Sequence, residues 1–191
     1  TSNAWHAALN VLCNIQDNEL TQAKNVIILG EIDCSDEMAK AAKSTSMVDL
    51  GALVEQIDAK VAEVVAKIVL AGKFPIIIGG GHNNSYGNIK GTSKALNQPI
   101  NCINFDAHTD FRVLEHRHSG NGFSYAFKNG FLDKYFIFGL HRNYTSEAVF
   151  KDLRKHPERI RFNLFEAIKV TQTLPFSEAI QQSEAFISNE P

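Results

Sequence analysis

Apolar residues recur along this chain in two rhythms. From Leu53 to Gly72 they return every three or four positions, at Val54, Ile57, Val61, Val64, Val65 and Ile68. That is the stripe of an amphipathic helix packing on a sheet, and Gly72 is a natural stop for it. Elsewhere short unbroken runs with β-branched and aromatic members read as buried strands. They are Val26-Ile27-Ile28-Leu29 before Gly30, 75–79 following Phe74, 100–105, and 134–140 with Tyr135, Phe136, Ile137 and Phe138. A shorter strand is expected at 159–162. Further helices are expected at 3–13, with Trp5, Ala8, Leu9 and Leu12 on one face, and at 35–43, 84–96, 123–128, 146–155 and 175–187. Strands alternating with helices make βαβ units. The predicted fold class is therefore α/β, a three-layer α/β/α domain with a mainly parallel sheet. No internal repeat, low-complexity tract or linker interrupts the pattern, so one domain is expected.

Composition narrows the classes of function. A chain of 191 residues, 44% hydrophobic and 21% charged, lies in the ordinary globular range and can bury a sizeable core. Its formal net charge of -2 carries no basic stripe, so nucleic acid and anionic membranes are excluded as expected partners. No run reaches the roughly 18 apolar residues of a membrane span, and no basic-then-apolar leader opens the chain. Cys13, Cys34 and Cys102 are scattered, odd in number and without a Cys-x-x-Cys pair, which suits reduced thiols and a cytoplasmic setting. Glu31, Asp33, Asp36 and Glu37 read as a solvated loop and the acidic first turn of a helix rather than a metal patch.

The stretch 101–110 holds the densest chemistry. A buried strand there runs into Asp106, His108 and Asp110. Alternate residues of an extended chain point to one side. Fully extended, Asp106 and Asp110 would still sit about 13 Å apart at roughly 3.3 Å per residue. The chain must curl after His108 if both are to reach one ion. Two carboxylates with an imidazole suit Mn, Fe or Zn better than Mg or Ca. A second strand ends in Gly79-Gly80-Gly81-His82. Ligands gather beyond the carboxyl ends of strands in open α/β sheets, so the two strand ends are expected to meet. A polar surface turn remains the plainer reading of 106–110. A phosphate cradle at Gly79–Gly81 is weaker, because the third glycine of a dinucleotide fingerprint and the Gly-Lys-Ser/Thr of a P-loop are both missing.

Gly79-Gly80-Gly81-His82, Asp106-Ala107-His108-Thr109-Asp110 and His118-Ser119-Gly120-Asn121-Gly122-Phe123, in that order and spacing, resemble the ureohydrolases, the arginase, agmatinase and formimidoylglutamase family. The Ser-Gly-x-x-Phe form of the third motif is most similar to formimidoylglutamases. The resemblance covers the chain from about Ala4 onward. It implies a dimanganese centre with His82, Asp106 and Asp110 on the first ion and His108 with a shared Asp106 on the second. The implied reaction is hydrolysis of a linear amidine or guanidine C–N bond in a small molecule. N-formimidoyl-L-glutamate is the first choice, and agmatinase- or arginase-type substrates are the alternative. His118 is the candidate proton donor, since the position of the arginase shuttle histidine is Phe123; His116 competes, and residues 115–118 read equally as a solvated loop. Ser119 and Asn121 correspond to substrate contacts. Glu147 falls near a substrate-facing glutamate, or is an exposed first-turn acid. Tyr144 stands where arginases carry an acidic residue, and His141 reads as a supporting or surface residue. The family's first strand and its later Asp-x-Asp motif have no match, and no aspartate follows Asp152. The expectation is an arginase-like domain lacking both regions, weak or inactive by itself. A non-catalytic role in assembly or regulation is the competing class, and homo-oligomerisation is left open.

Overall fold

A computed structural model describes residues 4–188. Helices α1 (Ala4–Leu12), α2 (Ser35–Ala41), α3 (Met47–Leu70) and α4 (Asn84–Leu96) precede strand β1 (Ile100–Phe105). Helix α5 (Gly122–Lys128), β2 (Leu132–Leu140), α6 (Glu147–Leu153), β3 (Ile160–Leu164) and α7 (Phe176–Ile187) follow. The strands form one parallel sheet in the order β1-β2-β3.

The sheet is covered on both faces, which makes three layers. Successive β2 side chains point to opposite sides. Tyr135 and Ile137 join a core with Tyr86 and Ile89 of α4, Phe123 and Ala126 of α5, and Phe150 and Leu153 of α6. Phe136 and Phe138 pack the other way, against Ile168 and against Ala179 and Phe186 of α7. This is the parallel-sheet arrangement that the alternating elements predicted.

Two expected strands are absent from that sheet. Residues 26–29 and 74–79 form no strand and pair with none among the described residues. Their side chains face solvent: Phe74 is 89% exposed, Ile76 78% and Leu29 69%. Apolar, β-branched sequence expresses a preference for a pleated, covered surface. A ladder also needs a neighbour at about 4.8 Å, and none is supplied here.

The long helix also departs from expectation. It starts earlier, at Met47, capped by Ser46, whose hydroxyl accepts the Asp49 N–H at 3.3 Å. Its buried face is Gly51, Leu53, Asp58, Val61, Ala62 and Val65, rotated from the apolar stripe, and its main neighbour is α4 rather than the sheet. Glycines on α4 permit the close approach. A Cβ on Gly87 would lie 2.8 Å from Val61 Cβ, and one on Gly91 would lie 2.5 Å from the Ala62 carbonyl oxygen. Glu37, expected in solvent, is buried instead and pairs with Lys60 at 2.8 Å, tying α2 to α3.

Gly91→Ala should therefore destabilise the chain. Alanine's better helix propensity favours it by about 0.5–1 kcal/mol. Overpacking against a backbone carbonyl that cannot swing away costs about 1–3 kcal/mol. A lower urea midpoint in the variant is expected; an unchanged or higher one would show that α3 and α4 separate freely.

Candidate metal centre

The site forms where the carboxyl end of β1 meets the corner leading into α4. Gly79 (φ +94°) and Gly80 (φ +74°) take left-handed conformations that turn the chain sharply before His82. Asn84 Nδ2 donates to the Gly79 carbonyl at 3.3 Å and holds that corner. His82 Nδ1 then lies 2.5 Å from Asp110 Oδ2 and 3.0 Å from Asp106 Oδ2. The three donor atoms fall within 4.8 Å of one another. The ring of Phe123 meets His82 edge-on at 5.7 Å.

The curl required after His108 is real. Asp110 has φ +41°, a left-handed conformation that aspartate tolerates better than most residues. Asp106 divides its two oxygens. Oδ2 faces His82, while Oδ1 accepts the His108 N–H at 2.9 Å and lies 3.1 Å from His108 Nδ1. One carboxylate thus stands between two imidazoles. An imidazole and two carboxylates converging, with a second imidazole on the far oxygen of Asp106, is a donor set suited to divalent transition metals.

A residue read only as a strand position holds this loop in place. The buried Tyr135 hydroxyl donates to the Thr109 carbonyl at 2.8 Å and accepts from Asn104 Nδ2 at 3.1 Å. Burial pushes its phenol well above the ordinary tyrosine range. His82 is also raised, chiefly by its hydrogen bond to Asp110, with desolvation opposing. Rings stack behind the second imidazole: His108 on Tyr144 at 4.8 Å, Tyr144 on His141 at 5.6 Å, and His141 on Phe165 at 4.3 Å. His141 is therefore part of a ring column rather than an isolated surface residue.

The remaining candidates lie on the neighbouring loop and on α6. His118 Nδ1 accepts the Gly120 N–H at 3.0 Å, and its Nε2 lies 3.1 Å from Glu115 Oε1. Ser119 is exposed at the start of the turn Ser119–Asn121. Asn121 is 0% exposed, its oxygen accepting from Arg117 Nη1 and the His118 N–H and its Nδ2 donating to the His116 carbonyl. Glu147 projects from the first turn of α6, 4.0 Å from Arg154. Arg117 departs most from the solvated-loop reading, being 2% exposed. Its sequence neighbours are all polar, so no apolar rhythm signalled its burial. All three cysteines are free, and burial pushes the Cys102 thiol up to about 12. No helix among the described residues is long and apolar enough to cross a membrane.

The sequence model of the arginase family matches residues 4–190. A formimidoylglutamase of Chromobacterium violaceum is 30% identical over 131 residues, which is 66% of this chain and 38% of that protein. The crystal structure of arginase from Bacillus cereus superposes with a TM-score of 0.66 at 16% identity, covering 84% of this chain and 56% of that one. Trypanosoma cruzi formiminoglutamase, solved with Mn2+, gives 0.60 at 20% identity, covering 70% and 45%. The structural matches show the fold. The chain spans well under half the length of the formimidoylglutamases that it resembles in sequence.

Two outcomes follow from the geometry. Tyr135→Phe strands the Asn104 amide and the Thr109 carbonyl, which should cost about 1–3 kcal/mol in denaturant unfolding; a loss under about 0.5 kcal/mol, ordinary for a surface change, would overturn the clamp. The second concerns pH with EDTA present. A raised histidine pKa contributes stability that is full below the unfolded value near 6.5 and disappears as pH climbs through the folded value. Unfolding midpoints should accordingly decline from about pH 6.5 upward, and Asp110→Asn should flatten that slope. Equal slopes in both proteins would contradict the pairing.

Proposed function

The chain belongs to the arginase family, and we propose that it carries part of a dimanganese hydrolase site for a linear amidine or guanidine C–N bond. The first substrate is N-formimidoyl-L-glutamate, which with water gives L-glutamate and formamide. The observation that carries this reading is the convergence of His82, Asp106 and Asp110, with His108 on the opposite oxygen of Asp106. The sequence relatives named formimidoylglutamase support the choice of substrate.

Each residue has a proposed part. His82 and Asp110 would hold a first ion and His108 a second, with Asp106 shared between them. Bound there, such ions would lower the pKa of water toward neutrality and so supply hydroxide. Ser119, exposed beside the site loop, contacts the amino-acid end of the substrate. His118 is the proposed proton donor to the departing nitrogen; Nδ1 accepts the Gly120 N–H and Nε2 lies 3.1 Å from Glu115 Oε1, so Nε2 must leave Glu115 to deliver its proton. Asn121, buried and fully engaged, shapes the turn that presents Ser119. Glu147 stands at the margin as a second substrate contact.

Charge limits what these 191 residues can do alone. Two divalent ions bring four positive charges, and Asp106 and Asp110 supply two negative ones. The second ion has only His108 and a shared carboxylate, and affinity follows ligand number and charge. Activity therefore needs further carboxylates from outside this sequence. That thin second ligand set also favours the alternative, a non-catalytic ureohydrolase domain used in assembly or regulation.

Manganese per chain after saturation and gel filtration tests the reading. About one ion is expected in the wild type, and none in Asp110→Asn. No ion in the wild type would overturn the metal site, and about two would mean that a neighbouring molecule completes it. Assays of the full-length protein on N-formimidoyl-L-glutamate, agmatine and arginine side by side then decide the substrate. No turnover of any of the three would favour the non-catalytic alternative.

A further inference from the structure

We propose that Arg117, paired with Asp58, is a positioning residue that holds the His82 corner and the Ser119–Asn121 turn in one fixed relation. The inference deepens the metal-site reading above and rests on it for its consequence, though the clamp itself is a property of the fold.

All five N–H donors of Arg117 are used. Nε donates to Asp58 Oδ2 at 2.9 Å and Nη2 to Asp58 Oδ1 at 3.4 Å. The other Nη2 donor reaches the Asn83 carbonyl at 3.1 Å. Nη1 donates to the His118 carbonyl at 2.7 Å and to Asn121 Oδ1 at 2.5 Å. The guanidinium lies 5.3 Å from the ring centroids of both Tyr86 and Tyr125, which also meet each other edge-on. One planar group therefore links three segments: α3 through Asp58, the residue next to His82 through Asn83, and the turn bearing Ser119 through His118 and Asn121.

The surroundings have been shaped to admit it. Gly51 on α3 faces the loop, and a Cβ there would lie 2.7 Å from His116 Cβ and 3.0 Å from the Arg117 nitrogen. The loop closes on itself nearby, with Arg112 N–H donating to the Gly120 carbonyl at 3.0 Å and Ser124 Oγ donating to the Arg112 carbonyl at 2.6 Å. A buried ion pair is poor evidence for stability as such, since well-packed apolar residues often replace one without loss. What an apolar replacement cannot reproduce is the five-way geometry of the fork. A lysine keeps the charge and gives up the fork.

Arg117→Lys in the full chain is the test, with Leu153→Ala, a buried change in the core on α6, as the control for general loss of stability. Hydrogen exchange with EDTA present should quicken at least tenfold at the amides of 84–86 and 118–121 in Arg117→Lys and leave those sites unchanged in Leu153→Ala. Manganese affinity should fall about tenfold in the first variant and hold in the second. If Arg117→Lys does not fold, Gly51→Ala, which pushes the Arg117 backbone away, should give the same local exchange pattern. Unchanged exchange at both segments, or the same acceleration in Leu153→Ala, would overturn the clamp. A wild type that binds no manganese but shows the local exchange response would instead overturn the metal site and leave the clamp standing.

Discussion

Burial of β2 on both faces is the constraint on which the rest of this chain depends. With Tyr135 and Ile137 packed on one side and Phe136 and Phe138 on the other, the strand cannot shift by one residue without exchanging its two cores. β1 pairs to it from Ile100 to Phe105. That pairing sets where β1 runs out, and hence where Asp106 begins. The candidate metal centre is positioned by hydrophobic packing several residues away from any ligand.

From that starting point, polar contacts do the finer work. The Tyr135 hydroxyl connects the packed strand to the Thr109 carbonyl, beside Asp110 with its left-handed backbone. Strained conformations of this kind persist where surrounding structure over-determines them. Arg117 does the same for the other half of the site, linking α3, the His82 corner and the Ser119–Asn121 turn. Both groups are buried, and each bonds at once to a packed helix or strand and to a loop that carries the proposed ligands or substrate contacts.

Segments 26–29 and 74–78 show the limit of hydrophobic pattern. Their apolar runs resemble β1 and β2 in composition, yet they lie unpaired and exposed. Strand formation is a property of pairs. Composition records that a segment suits a covered sheet, while the presence of a neighbour is a fact about the rest of the molecule. The rotated face of α3 has a similar origin. Val61 and Val65 of the apolar stripe are buried, but close packing against Gly87 and Gly91 brings in Ala62 and Asp58 and leaves Val54, Ile57, Val64 and Ile68 only half-buried.

The sequence by itself determined the α/β class, most element positions, and the grouping of His82 with Asp106 and Asp110. The first two follow from local periodicity; the grouping is expected from two strand ends meeting and from the family resemblance, although the segment before His82 pairs with no strand among the described residues. It also foretold the curl after His108, because chain length left no other way for both carboxylates to meet. Only the tertiary structure decided that the Tyr135 hydroxyl clamps the Thr109 carbonyl, that Asn121 is consumed inside its loop, and that Arg117 is buried. The reason is physical. Burial of a polar residue depends on whether partners arrive from distant segments, as Asp58 and Asn83 do for Arg117, and no local pattern encodes that arrival.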